Sequence, residues 1–190
     1  MRRSVAVLMV AAIAGCAAPD RSSPYSTAAA ERRDTSKAES LNREAADLLR
    51  SDPKAAEVLL REALSADLFF GPAHNNLGIV HLDRGELYEA ASEFEWARKL
   101  LPASADPRIN LAITLERAGR AGDAMGAYKS ALEVQPGSIA AMQGAAVLAV
   151  RAGKPEPQLD AWLKGIAMNG EGAAWREWAG RRHARTNRED

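Results

Sequence analysis

Asparagine recurs at a fixed interval in this chain: Asn42, Asn76 and Asn110 stand 34 residues apart. A side-chain amide carries both donors and an acceptor, so a row of them can pair with an extended peptide backbone or with neighbouring helix groups. Other residues suited to chemistry are few. His74 and His81 are seven apart on one helical face, with Asp83 close by. Two histidines without a fixed third ligand make a thin metal site, and both are read instead as partly buried packing residues. His183 sits in a basic C-terminal stretch that invites no chemistry. Cys16 is the only cysteine, and no P-loop, His-Glu-x-x-His or Gly-x-Ser-x-Gly string occurs. The expectation is a binding protein, not an enzyme, with no metal, cofactor or small-molecule substrate.

The interval of the asparagines extends to the residues that must position them. Gly85, Gly119 and Gly153 are 34 apart, as are Pro102 and Pro136. The same interval joins Ala63, Ala97, Ala131 and Gly165; Ala56, Ala90 and Ala124; and Leu77, Leu111 and Ala145. A register kept without insertion through four periods (37–70, 71–104, 105–138 and 139–172) means that each unit stacks on the last and buries a shared face. Gly85 and Gly119 stand where a helix must stop and reverse, in a left-handed turn that glycine enters at no steric cost. Ala90 and Ala97 let helices approach, while Leu77 and Phe94 fill the space between them. Pro102 and Pro136 end the second helix of each unit. Asp106-Pro107 reads as an N-cap followed by proline at the first helical position. A coincidentally amphipathic helical bundle would not share this interval.

Set out in register, the second unit has His74, Leu77-Gly78, His81, Ala90, Phe94, Ala97 and Pro102, and the third has Leu111-Ala112, Leu115, Gly119, Ala124, Tyr128, Ala131 and Pro136. This resembles the tetratricopeptide repeat (TPR), over residues 37–172. The resemblance implies an all-α fold: a right-handed α-solenoid of about four helix-turn-helix units plus a C-terminal capping helix, nine helices in all. It also implies that the first helix of each unit lines a concave groove, which places Asn42, Asn75, Asn76, Ile79, Asp83, Asn110, Ile113, Arg117, Gln143, Val147 and Arg151 on that groove. Gly144 completes the asparagine column. Arg117 and Arg151 are its only cations, so the Lys-rich clamp some relatives use for a C-terminal carboxylate is not matched. A protein or extended peptide is the implied partner.

The end units depart from the pattern. In the first, Ser51-Asp52-Pro53 replaces the Gly turn, and Leu68 stands where proline would lie. The fourth turns at Gly153, and its second helix is expected to start near Pro157 and to carry Trp162 at the aromatic position. A last helix, 173–190, carries Trp175 and Trp178 on one face. These either cover the exposed end of the array, as a capping helix must, or form an aromatic patch for a partner or membrane surface. The arginines of this end (Arg176, Arg181, Arg182, Arg185, Arg188) read as a solvated helix end or as a phosphate or lipid-headgroup contact.

The front of the chain speaks to location. Met1-Arg2-Arg3 and the apolar run from Val5 to Ala14 match a signal peptide over 1–15, too short to span a bilayer. Ile13-Ala14-Gly15-Cys16 resembles the bacterial lipoprotein signal, in which cleavage precedes the cysteine and lipid is attached to it. An ordinary secretory signal with an accidental cysteine is the alternative. Residues 16–36, with Pro19, Pro24, many hydroxyls and few large apolar groups, read as a disordered tether spanning roughly 25 Å. Ala17 after the cysteine leans toward the periplasmic side of the outer membrane. Formal charge is zero, with 25 basic and 25 acidic residues. That balance argues against a nucleic-acid partner. The resemblance then implies a membrane-tethered adaptor for pilus, secretion or cell-wall assembly in the bacterial envelope. A regulatory or substrate-delivery subunit of an envelope protease or peptidoglycan enzyme is the alternative.

Overall fold

The computed structural model describes residues 33–153 and 155–189. The signal peptide, Cys16 and the tether up to residue 32 lie outside the described residues. Among the described residues there are nine helices and no strand: α1 (Thr35–Leu48), α2 (Pro53–Ala66), α3 (Gly71–Asp83), α4 (Leu87–Leu100), α5 (Asp106–Arg117), α6 (Ala121–Val134), α7 (Ile139–Ala152), α8 (Leu159–Asn169) and α9 (Ala173–Glu189). Successive helices pack in pairs, each second helix also meets the first helix of the next unit, and α9 lies on α8. The first helices α1, α3, α5 and α7 lie side by side. This is the expected α-solenoid.

The turns form for the reasons the residue types suggest. Gly85 and Gly119 take φ of 76° and 73°, in the left-handed region. After α3, the amide of Glu86 donates to the carbonyl of His81 at 2.9 Å and that of Gly85 to Leu82 at 3.1 Å. After α5, Arg120 donates to Leu115 at 2.8 Å and Gly119 to Glu116 at 2.9 Å. Both are Schellman closures, which satisfy carbonyls that a helix end leaves open. In the unit lacking this glycine, the Asp52 carboxylate accepts from the amide of Ala55 at 3.1 Å, and Pro53 opens α2.

Three boundaries shift. The first helix begins at Thr35, so residues 33–36, counted with the tether on sequence grounds, belong to the folded array. Helix α5 begins at Asp106, not after it: Ala105 is the cap position, Pro107 falls second, and the Ser104 hydroxyl accepts from the Asp106 amide at 3.3 Å. Helix α8 begins at Leu159, two residues past Pro157.

Packing explains the small residues. The alanines at 56, 63, 90, 97, 124 and 131 are fully buried, as are Phe94, Tyr128 and Trp162 to within a few per cent. A Cβ at Gly78 would stand 2.6 Å from the Phe94 ring, so only glycine fits beneath that aromatic. The core has two apolar clusters. One joins α1, α2 and α3 from Ala38 to Val80, and the other runs from Leu82 to Ala179.

Where Leu68 replaces the usual proline, Asp67 organises the turn. Its buried carboxylate accepts from Arg33 Nε at 2.9 Å and Nη2 at 3.1 Å, from Thr35 Oγ1 at 2.8 Å and from the Phe69 amide at 3.0 Å. Burial alone pushes this carboxyl up, but these donors and the Arg33 charge outweigh it and hold it below the ordinary value. The start of α1 is thereby clasped to the end of α2.

Candidate functional site

Because α1, α3, α5 and α7 are neighbours, residues one repeat apart come together on one face. Asn76 Nδ2 donates to Asn42 Oδ1 at 2.9 Å, and Asn110 Nδ2 donates to Asn75 Oδ1 at 3.0 Å. All four asparagines are half-buried. The row therefore is not a set of independent amides. It is two bridges between successive units, each offset by one position from the next. An asparagine amide has two N–H groups and a carbonyl with two lone pairs, so each keeps hydrogen-bonding capacity beyond its bridge. Ile79, Ile113, Gln143 and Val147 are half-buried beside this row, and Asp83 is exposed at its edge.

The column stops at Gly144 for a steric reason. A Cβ there would lie 2.1 Å from Cζ of Tyr128, whose ring, reaching over from α6, fills the place of a fourth asparagine. The phenol donates to Glu116 Oε1 at 2.7 Å. Burial first, then that hydrogen bond and the carboxylate charge, push the Tyr128 hydroxyl above its ordinary value, so it remains a donor.

The two cations expected on the groove, Arg117 and Arg151, already have partners. Arg117 Nη1 donates to the carbonyl of Leu82 at 3.0 Å, at the negative end of α3. Arg151 Nη1 stands 3.9 Å from Glu116 Oε2 and is otherwise largely exposed.

The histidines do not form a shared site. His74 Nδ1 meets Glu93 Oε2 at 2.6 Å and its Nε2 meets the carbonyl of Leu68 at 2.9 Å, with the ring stacked on Trp96. His81 Nδ1 meets Glu86 Oε2 at 2.5 Å. His183 Nδ1 meets Asp160 Oδ1 at 2.5 Å and joins α9 to α8. Among the described residues no group of three or more His, Cys, Asp or Glu is placed to hold a metal ion.

At the C-terminal end of this face, α9 divides its tryptophans between two tasks. Trp178 is half-buried against the core beside the fully buried Ala179, whereas Trp175 remains 37% exposed. The rings meet edge to face, 5.5 Å apart at 86°. With Val147, Val150, Arg151 and Ala174 they line a notch of about 410 Å³. One tryptophan caps, and the other stays open.

A cleft of about 750 Å³ lies elsewhere, between the second helices α4 and α6. Leu111 and Leu115 form its floor, with Tyr88 and Trp96 at its edges. Sequence reasoning missed it, although Gly122 and Gly126 inside a helix were a signal. No neighbouring atom lies where their Cβ would stand. Two of its four cations are matched by carboxylates of the wall, Arg98 by Glu95 at 2.6 Å and Arg120 by Asp123 at 2.8 Å, while Arg108 turns to the carbonyl of Ser104 and Lys99 lies over the Trp96 ring.

No protein-family model and no curated protein sequence matches the chain. Solved structures do. The pilF protein of Pseudomonas aeruginosa is similar with a TM-score of 0.71 at 20% identity, over 82% of this chain and 71% of that one. The first TPR of Spaghetti (RPAP3), bound to the HSP90 peptide SRMEEVD, matches with a TM-score of 0.61 at 14% identity, over 65% and 98%. An O-GlcNAc transferase of Thermobaculum terrenum matches with a TM-score of 0.63 at 24% identity, over 70% of this chain but 26% of the enzyme. The shared feature is the fold: the chain folds as an α-solenoid of the TPR type.

Proposed function

We propose that the chain is a lipid-anchored adaptor of a bacterial cell envelope that holds an extended segment of a protein partner along α1, α3, α5 and α7. The observation that carries this reading is the pair of amide bridges, Asn42 with Asn76 and Asn75 with Asn110. Each bridge fixes its side chains without using up their hydrogen-bonding capacity, so the row is ordered before a ligand arrives. Ordering in advance lowers the entropy cost of binding. An extended peptide brings an unpaired N–H and C=O at every residue, and Ile79, Ile113 and Val147 offer apolar contact between the amides. The RPAP3 structure holds a peptide on the same fold, which supports a peptide as the occupant. Anchoring rests on Ile13-Ala14-Gly15-Cys16, and Ala17 favours the outer membrane on its periplasmic side. Assembly of pilus, secretion or cell-wall complexes is the kind of work such an adaptor does.

The test is site-specific photocrosslinking in native membranes, with the reactive group at Ile113 on the groove or at Val58, exposed on α2. Partner adducts from Ile113 and not from Val58 are expected. Adducts from Val58 alone would overturn the groove reading. In the same membranes Cys16→Ser should leave an unprocessed or soluble protein. Retention at the wild-type level without a bound partner would overturn the lipid anchor.

A further inference from the structure

The amide row does not account for the notch at its C-terminal end. Capping explains Trp178 and Ala179, which cover the end of the core. It does not explain Trp175, which leaves a third of its surface open beside two half-buried valines. The face continues past the notch. Arg181, Arg182 and Arg185 follow Trp178 at helical spacings of three, four and seven, and with it they line a second hollow of about 470 Å³. Over its whole length α9 carries five arginines against two glutamates. Glu177 answers Arg181, and Arg176 turns back to the carbonyl of Gly170 at 2.9 Å. On the far rim stands Arg151, at 3.9 Å from its carboxylate partner. One continuous face therefore runs from an aromatic and aliphatic notch to a cationic surface.

We infer that this notch is a specificity subsite that takes one bulky apolar side chain of a partner segment whose adjacent residues are acidic. The inference rests on the groove reading and extends it by one position, since Val147 and Arg151 belong to both. Charge complementarity selects acidic neighbours, because the arginines lie on one side of the notch and at its rim. Shape selects a side chain over a bilayer: the site is a hollow, and Trp175 packs edge to face on Trp178 at its wall, whereas insertion into lipid needs apolar groups that protrude. Buried aromatic rings are the usual anchors of such contacts.

The test uses the full chain in detergent micelles and the peptide acetyl-Gly-Ser-Phe-Asp-Glu-Asp-Gly-amide, with binding read by calorimetry and by the indole N–H signals of Trp175 and Trp178. Replacing the Phe of the peptide by Ala should weaken binding by roughly tenfold or more, the scale of one lost apolar contact. Trp175→Ala in the protein should do the same with an unchanged melting curve. Arg185→Glu, on an exposed position, should weaken binding by about threefold or more and abolish preference over a peptide with Asn and Gln in place of Asp and Glu. Val58→Ala, on the exposed face of α2, should leave this short peptide's affinity within about twofold, because it lies outside both the notch and the row. Equal binding of the Phe and Ala peptides, or no effect of Trp175→Ala, would overturn the subsite while leaving the groove reading untouched. So would quenching of Trp175 by brominated phosphatidylglycerol in reconstituted vesicles, which would give this face to the membrane.

Discussion

Asn76 and Asn110 each spend one N–H on the preceding unit, and this decides how a mutation there must be read. Removing either loses a bridge as well as a contact to a ligand. A net hydrogen bond is worth about 0.5–1.5 kcal/mol, so a single Asn→Ala should weaken partner binding by roughly tenfold or less. The double variant should lose more. Its melting temperature should barely move, because alanine recovers about 0.5 kcal/mol per site in helix propensity. Affinity for the crosslinked partner, measured beside the melting curve, checks this; unchanged affinity in the double variant would sink the groove. His74 makes a separate prediction. A carboxylate and a carbonyl face its two ring nitrogens, so the doubly protonated ring satisfies both and the neutral ring satisfies one. Burial pushes His74 down, but the bonds to Glu93 and Leu68 and the Glu93 charge outweigh it, and the net direction is up. A raised value means that the stabilisation is complete below the unfolded value of about 6.5 and is lost as pH rises through the folded one. Melting temperature should therefore fall as pH rises above the unfolded value, and His74→Gln should flatten that slope. A slope unchanged in the variant would assign the effect to another group.

At the scale of helices, two glycines make a matched pair. Gly126 lies on α6 with open space where a Cβ would go, whereas Gly144 on α7 lies under the Tyr128 ring. Gly126→Ala should stabilise the fold by about 0.5–1 kcal/mol, through helix propensity alone. Gly144→Ala should destabilise it by roughly 1–3 kcal/mol, because a fully packed aromatic must shift. Denaturant unfolding of the two variants checks the sign, and a Gly144→Ala protein as stable as the parent would contradict the packing. The contrast shows what was legible in the sequence. Gly85, Gly119, Ala90, Ala97 and Pro102 act through backbone angle and volume, properties fixed by residue type, and so they announced the two central helix pairs. Spacing likewise puts Asn42, Asn76 and Asn110 at one structural position, while their place on a groove comes from the resemblance to the TPR. What stayed hidden depends on side-chain direction. That Asn110 pairs with Asn75 and not with Asn76, that Arg117 turns to Leu82, and that Arg33 reaches Asp67 are choices of rotamer. The same holds for Trp175 and Trp178, whose shared face was legible and whose division between notch and core was not.

Across the array, stability should be graded along the chain. The two apolar clusters meet within α3, where Leu77 and Val80 belong to the first and Leu82 to the second. Polar contacts cross that seam at the Asn75–Asn110 bridge, at His74 with Glu93, and at Glu57, which Arg84 meets at 2.5 Å. In a stacked-repeat protein each unit draws its stability from itself and its neighbours, so damage to one unit need not spread. Leu60 is fully buried on α2 and belongs to the first cluster. Leu60→Ala should cost about 2–5 kcal/mol at that site. A cost of that size exceeds what one terminal unit can spare, but the second cluster keeps its own packing from Phe94 to Ile166. Amide hydrogen exchange should therefore speed up in α1, α2 and the start of α3, while α5 to α8 keep the protection of the parent protein. The Arg33–Asp67 clasp would be lost with that unit, which would free the start of α1 from the end of α2. If protection instead fell by one factor in every helix, the array would be a single cooperative block and the seam within α3 would carry no energetic meaning.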